Sequence, residues 1–311
     1  MIYYVKKTLS FLVTLFFIAV ISFVLFQVIP GDSAVTELGT EATAEQIEAV
    51  RQARGLDDPA TVRFFRWMGK ALTGDFGMSV RYDRPAGELI ADRFAVTLGL
   101  GGLSMLMIVL ISLPLGIIVS RKEDGLLDRV MTVLSQTVMA VPSFFMGILV
   151  TLVFGIVLNL FTPGGYRTVS QGFAEYLGFM VFPALSVALP KIAMTVKFMK
   201  SSMAREKEQD YVRTATAKGC DGRTVLKRHI LKNSMMNVVT FLGLIFAEVI
   251  AGSLMVEQVF NVPGLGRLLV SAIANRDFAI VQGCILLTAV IVMLTNLFVD
   301  VLYRVLDPRI R

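Results

Sequence analysis

Six apolar runs punctuate the chain, at residues 9–29, 95–119, 131–158, 178–199, 238–256 and 279–303. A helix needs about 20 predominantly apolar residues to cross roughly 30 Å of hydrocarbon, and each run is close to that length. Lipid offers no partner to a backbone N–H or C=O, so each run must close its hydrogen bonds internally, as a helix. With 55% of the residues apolar and 17% charged, the chain has too little polar surface to hold such runs in water. The reading is an all-α polytopic membrane protein with six transmembrane helices.

Pro114, Pro142, Pro183 and Pro190 fall inside the second, third and fourth runs. Spanning helices tolerate proline where neighbouring helices, hydroxyls or water satisfy the freed backbone groups. These three are therefore expected in a bundle, their prolines serving either as packing kinks or in a pathway lining.

Orientation follows the lysines and arginines of the short loops. Lys6 and Lys7 precede the first span, Arg121, Lys122 and Arg129 separate the second from the third, and ten basic residues lie from Lys197 to Lys232. Arg304, Arg309 and Arg311 follow the last span, whereas the opposite side carries only Arg167, Arg267 and Arg276 in its short loops. Both termini are expected in the cytoplasm. The first apolar stretch exceeds the 7–15 residues of a signal peptide and lacks a small-x-small cleavage pattern, so it reads as a retained helix. The expected organisation is an N-terminal transmembrane helix (1–30), an extracytoplasmic segment (31–93), a five-helix membrane domain (94–304) with a cytoplasmic loop at about 200–237, and a tail (305–311).

The net charge of +6 is a topology signal rather than a nucleic-acid footprint, because the excess sits in loops beside spans without interleaved aromatics. Cys220 and Cys284 are too few for a metal cluster. There is no G-x-x-x-x-G-K-[ST] phosphate loop, no H-E-x-x-H and no nucleophile elbow. The lone His229 lies among Lys227, Arg228 and Lys232, where docking or structure suits it better than catalysis.

The extracytoplasmic segment reads as largely helical. A Pro30-Gly31 turn opens it, and a helix follows over 44–54, capped by Thr43, with Glu45 and Glu48 in its first turns and Gly55 at its end. A second, amphipathic helix follows Pro59 and offers Val62, Phe65, Trp67, Met68 and Leu72 as apolar contacts. A turn-rich strip, GDFGMS at 74–79, leads to a short helix near 85–93. The segment suits a platform for a soluble partner, or a small cap packed on the bundle.

In the cytoplasmic loop, 200–218 favours helix, Gly219 suits an αL C-cap, and Asp221 can cap a second helix over 223–235. Small side chains (Thr214, Ala215, Thr216, Ala217) adjoin that joint, with Arg213, Lys218, Arg223, Lys227 and Arg228 around it. Such a surface fits a protein groove with a charged rim, although these residues alone favour a membrane-adjacent basic loop that holds topology and touches anionic lipid. After the fifth span, Pro263-Gly264-Leu265-Gly266 forms a turn, and Leu268, Leu269, Ala272 and Ile273 give the next helix an apolar side. Glu257, Pro263, Gly264 and Gly266 are a candidate extracytoplasmic gate, or pack against the long first segment.

The order of motifs carries a resemblance. IPGD at 29–32, GLDDP at 55–59, GDFGMS at 74–79, RP with LIADRFAVTL at 84–98, YVRTATAKG at 211–219, KRHILKN at 227–233, VEQVFNVPGLGRLL at 256–269, NRDFAIVQG at 275–283 and the terminal VDVLYRVLDPRIR together resemble a permease of the dipeptide, oligopeptide and nickel ABC-importer family. The resemblance implies the type I ABC-importer transmembrane fold in a prokaryotic cytoplasmic membrane. It further implies a subunit that does no chemistry, binds no cofactor and works with a second homologous permease, two cytoplasmic ATPases that carry ATP and Mg, and an extracytoplasmic substrate-binding protein. The loop then resembles the EAA loop, with Tyr211, Arg213, Thr214, Ala215, Ala217, Lys218, Gly219, Arg223 and Arg228 coupling to the ATPases. Arg213 and Thr214 replace the Glu-Ala of the generic loop, as in the peptide branch, and Asn237 stands where that branch usually has proline.

Two charges lie inside spans, Lys191 and Glu248. Both sit roughly 12–15 Å in from the cytoplasmic ends of their helices, so they are expected to face the translocation path or each other; the alternative has Lys191 snorkelling and Glu248 packed against the paired subunit. The expected function is ATP-driven import of peptides, with nickel or another small solute as the alternative. A gradient-driven secondary carrier would show half-to-half repeats and several intramembrane ionisable groups, which are not apparent.

Overall fold

A computed structural model describes residues 2–28, 43–54, 57–121 and 125–306. The Pro30-Gly31 turn, the Gly55 helix end and residues 307–311 lie outside the described residues. The elements are α1 (Ile2–Val28), α2 (Ala44–Arg54), α3 (Ala60–Leu72), α4 (Ala86–Arg121), α5 (Leu126–Met139), α6 (Ser143–Val150), α7 (Phe173–Lys207), α8 (Asp210–Ala217), α9 (Leu231–Phe260), α10 (Leu265–Ala274) and α11 (Phe278–Leu306). Among the described residues the β-structure is a single isolated bridge, Met78 to Pro85.

Among the described residues, five helices are long and apolar enough to span a membrane, six if one bent pair counts as a span. That pair is the run expected as one helix over 131–158: α5 and α6, the latter continued by a π-helical stretch (Thr151–Val157), meet at an angle of 105°. Pro142, expected in this run as a packing kink or in a pathway lining, divides it into two helices. Proline has no N–H to donate and drives the residue before it away from the α region. Pro142 takes φ −60°, ψ 146° at the start of α6, and its carbonyl accepts from Met146 N at 2.9 Å. Pro114, Pro183 and Pro190, by contrast, lie within continuous α4 and α7.

The chain divides into two compact units, one formed by Met1–Val96 and Pro263–Met293, the other by Thr97–Val262 and Leu294–Arg311. In the first, α3 packs on α1 through Phe64, whose ring lies 5.4 Å from that of Phe23 and 5.8 Å from that of Phe16, and through Trp67, 5.8 Å from Phe23. Met68 and Ala71 complete this contact. The expected contact set is therefore corrected in part. Spacing i, i+3, i+4, i+7 puts Phe64, Trp67, Met68 and Ala71 on one stripe, and Val62, Phe65 and Leu72 are exposed.

The helix over 44–54 begins at a capping box, with Thr43 N donating to Gln46 Oε1 at 2.9 Å and Gln46 N to Thr43 Oγ1 at 3.4 Å. The strip after α3 is held by a buried carboxylate. Ser79 Oγ donates to Asp277 Oδ2 at 2.5 Å, Arg81 N donates to the same oxygen at 3.4 Å, and Ile280 N donates to Asp277 Oδ1 at 3.4 Å at the start of α11. Asp277 is fully buried. Asp277→Ala removes a charged acceptor and strands these donors, a loss of about 3 kcal/mol. The melting temperature in detergent is expected to fall by roughly 5 °C or more, and Asp277→Asn, which keeps an acceptor, by clearly less; equal melting of Asp277→Ala and the unaltered chain would remove this role.

In the second unit α7 is the central element, packed on α5, α6 and α9. Close approach of α4 and α7 depends on a missing side chain. A Cβ at Gly116 would stand 2.7 Å from Met199 Cγ, and small residues are what let membrane helices pack this closely. Phe198 and Phe241 stack across α7 and α9 with centroids 4.0 Å apart.

Candidate functional site

The loop between α7 and α9 is not one long helix followed by another. Helix α7 ends at Lys207, Glu208 and Gln209 intervene, and α8 begins at Asp210, which corrects the expectation of helix through 200–218. The charges account for the break: Arg205 and Lys207 lie in the last turn of α7 and Asp210 in the first turn of α8, each favourable to the helix end it occupies. Without glycine or proline there, hydrophobic spacing alone cannot reveal it.

Gly219 closes α8. Its φ is +85°, Gly219 N donates to Thr216 O at 2.9 Å, and Cys220 N donates to Ala215 O at 3.2 Å. This pair of bonds is a Schellman motif, and glycine is the residue that adopts its left-handed position without a Cβ penalty. Asp221 follows in extended conformation as an N-cap. The Thr224 hydroxyl, and after it amides of the same turn, hold the Asp221 carboxyl below the usual carboxylate range. The helix expected over 223–235 begins with a short turn, Gly222–Thr224, passes through a π-helical stretch, Val225–Ile230, and only then becomes α9.

Helix α8 rests on that π-helical stretch. Val212 and Ala215 are buried on its inner side, as are Val225 and Ile230. The Tyr211 hydroxyl donates to Glu206, and the Tyr211 ring lies 6.4 Å from that of His229. Burial, and then the bond to Glu206, raise the Tyr211 pKa, so the phenol remains a donor. Exposed on the other side are Arg213, Thr214, Thr216, Ala217, Lys218 and Gly219, with Arg223, Lys227 and Arg228 beyond the joint. Ala215 thus belongs to the seat of the helix rather than to its outward face.

Lys191 on α7 and Glu248 on α9 form an ion pair through Glu248 Oε2. The lysine side chain is 18% exposed and the glutamate side chain 54%. Asn237 and Gln258 are also exposed on α9 and fall within about 80° of Glu248 around the helix. Leu244 and Met255, 50% and 60% exposed, lie within the same arc, and Asn237 Nδ2 donates to Ser202 Oγ of α7 at 3.4 Å, so the exposed side of α9 mixes polar and apolar side chains.

Other intramembrane and membrane-edge pairs were not foreseen. Lys200 Nζ bonds both carboxylate oxygens of Asp128 at 2.6 and 2.8 Å, and Lys207 Nζ donates to Ser120 O at 2.8 Å. Thr97 Oγ1 donates to Glu257 Oε1 at 2.6 Å, and Glu257 is fully buried. Of the remaining candidate gate residues, Pro263 accepts from Arg93 Nη1 at 3.3 Å, while Gly264 and Gly266 are buried. An acid at the end of an apolar run was the available signal for Glu257, whereas Asp277 follows Asn275 and Arg276 in a polar turn and gave none; no local spacing identifies their partners.

The family model for the binding-protein-dependent transport system inner membrane component matches residues 112–311, and its N-terminal companion matches residues 1–101. The chain belongs to this family. It is 33% identical over 310 residues to the probable peptide ABC transporter permease protein of Sinorhizobium fredii, covering 100% of this chain and 99% of that one. It is 38% identical over 309 residues to the glutathione transport system permease protein of Escherichia coli strain K12, covering 99% and 98%. A crystal structure of an amino acid ABC transporter with histidines shares the fold, with TM-score 0.54 and 15% identity over 70% of this chain and 94% of that chain. The chain is thus a multi-pass permease with the type I ABC-importer fold, a transport component rather than an enzyme, and its outward-facing loop and intramembrane charges belong to a transport machine.

Proposed function

We propose that the chain is one of two membrane subunits of an ATP-driven importer that carries peptides inward across the cytoplasmic membrane. The observation that carries this reading is the Schellman joint at Gly219, which presents Arg213, Thr214, Ala217 and Lys218 outward while Val212 and Ala215 seat the helix on Val225–Ile230. A short helix with a firm inner seat and a small, basic outer face suits insertion into a groove of a motor protein. Closure of two cytoplasmic ATPases would move it, and α9, continuous with the π-helical turn beneath it, would pass the motion to the membrane core. ATP is hydrolysed on those partners, and both termini of this chain lie on their side.

Glu248, on the exposed side of α9, marks the path. A charge in the bilayer centre costs on the order of 2.5–3.5 kcal/mol on insertion scales, so such groups face a bundle interior or a wet cavity rather than lipid. Glu248 therefore faces the path shared with the second permease. The peptide substrate is supported by relatives named for peptide and glutathione transport. The test is reconstitution with ABC-importer ATPases and a binding protein from the same genome: copurification, and peptide uptake that stops on ATP depletion while an imposed ion gradient is held, are expected. Uptake that follows the gradient without ATP would establish a secondary carrier instead.

A further inference from the structure

Helix α3 has three faces, not two. At 3.6 residues per turn, Phe64, Trp67, Met68 and Ala71 form one side, Arg63, Arg66 and Lys70 a second, and Val62, Phe65 and Leu72 a third, their centres roughly 120° apart. The first side packs on α1. The third is bare: Val62 is 45% exposed, Phe65 66% and Leu72 78%. The cationic side is flanked by acids, with Arg66 2.8 Å from Asp58 and Lys70 3.9 Å from Asp75.

What covers the bare side follows from what the helix already touches. Phe64 meets α1 at Phe16 and Phe23, and both belong to the candidate membrane span Lys6–Leu25. Helix α1 runs on to Val28, so at 1.5 Å per residue Phe23 lies about 8 Å and Phe16 about 18 Å below its end. Phe16, Phe17 and Ile21 of α1 are themselves exposed, so the bare side of α3 borders a surface that must meet hydrocarbon. A short helix with segregated apolar and basic sides, carrying aromatic residues, is the form that lies in the plane of a membrane interface, some 5–10 Å into the boundary of headgroups and acyl chains.

We propose that α3 is an interfacial anchor bound to phospholipid. It lies in the leaflet at the Leu25 end of α1, with Val62, Phe65 and Leu72 among the acyl chains and Arg63, Arg66 and Lys70 level with the phosphates. The segment between α1 and α4 is then fixed to the bilayer rather than held wholly in water, and the proposal stands independently of which solute is carried.

Spin labels test it. In full-length chain with Cys220→Ser and Cys284→Ser, single labels at Phe65→Cys, Leu72→Cys, Arg66→Cys and Lys70→Cys are compared in vesicles of phosphatidylcholine and phosphatidylglycerol. Labels at 65 and 72 are expected to collide with oxygen far more than with a water-soluble nickel chelate, at roughly 5–10 Å below the phosphates, and those at 66 and 70 to show the reverse preference. Nickel-dominated collision at 65 and 72 would place that side in water, and shielding from both agents would place it against protein; either result overturns the proposal. Trp67 is the chain's single tryptophan, so the unlabelled protein gives a second readout. Its fluorescence is expected to be quenched more strongly by lipids brominated near the headgroup end of the acyl chain than by lipids brominated near the bilayer centre or by acrylamide, and acrylamide dominance would also overturn the anchor.

Discussion

Glu248→Lys is expected to reduce uptake at least tenfold, and Lys191→Glu to do the same, whereas the double reversal restores most of it. The two side chains form an ion pair across α7 and α9. Either single reversal places like charges together inside a span, where even one uncompensated charge costs on the order of 2.5–3.5 kcal/mol. A fall of this size is large against a folded state stabilised by only about 5–15 kcal/mol, so the abundance of each variant in the membrane must be measured beside its transport. Double reversal that fails to recover transport, at normal abundance, would show that the pair is not what matters.

Glu248→Gln separates the path from a seam between subunits. The neutral amide keeps the shape and gives up the charge on the exposed side, but it leaves Lys191 without its ion-pair partner, at a cost on the order of 2.5–3.5 kcal/mol if uncompensated, so abundance is measured here too. On the path, it is expected to leave the assembly intact and to slow uptake several-fold. If Glu248 instead held the second permease, the same change would loosen the pair of membrane subunits, seen as separation on sizing in mild detergent. Loss of assembly with normal uptake per assembled complex would reject the path assignment.

Much of this architecture was legible because the bilayer imposes a length. Five runs became long helices, and the sixth broke where Pro142 follows Val141, a boundary that proline's restriction of its preceding residue makes readable. Gly219 was equally readable, since a left-handed helix end favours one residue. What escaped was of two kinds. The faces of α3 were misjudged because an amphipathic pattern separates polar from apolar residues without saying that the apolar ones serve two neighbours; Phe64 and Phe65 are adjacent in sequence and sit in different surroundings. The pairs Thr97 with Glu257, Ser79 with Asp277 and Asp128 with Lys200 join distant positions, and only the packed fold brings them together. Ala215 combines both difficulties, because small size suits a docking face and a tight seat alike.

That distinction shapes the second large effect. Gly219→Val is expected to abolish ATP-coupled uptake, by tenfold or more, while the bundle keeps its melting temperature within a few degrees. Space does not oppose the new side chain, for nothing lies within 4 Å of a Cβ built there. The backbone opposes it: φ is +85°, and a left-handed residue with a Cβ costs roughly 1–2 kcal/mol, more when β-branched. The joint must then reopen, releasing the two Schellman bonds and turning α8 away from its seat. Ala215→Trp is expected to uncouple by a different route, overpacking the buried side against Val225–Ile230 at about 1–3 kcal/mol, with a visible loss of stability. Ala217→Trp, on the exposed side, is expected to leave stability unchanged and to weaken copurification with the ATPases. The three variants thus separate joint, seat and docking face by melting temperature, ATPase retention and uptake measured together. Normal uptake in both Gly219→Val and Ala217→Trp would mean that α8 does not transmit the motor's stroke.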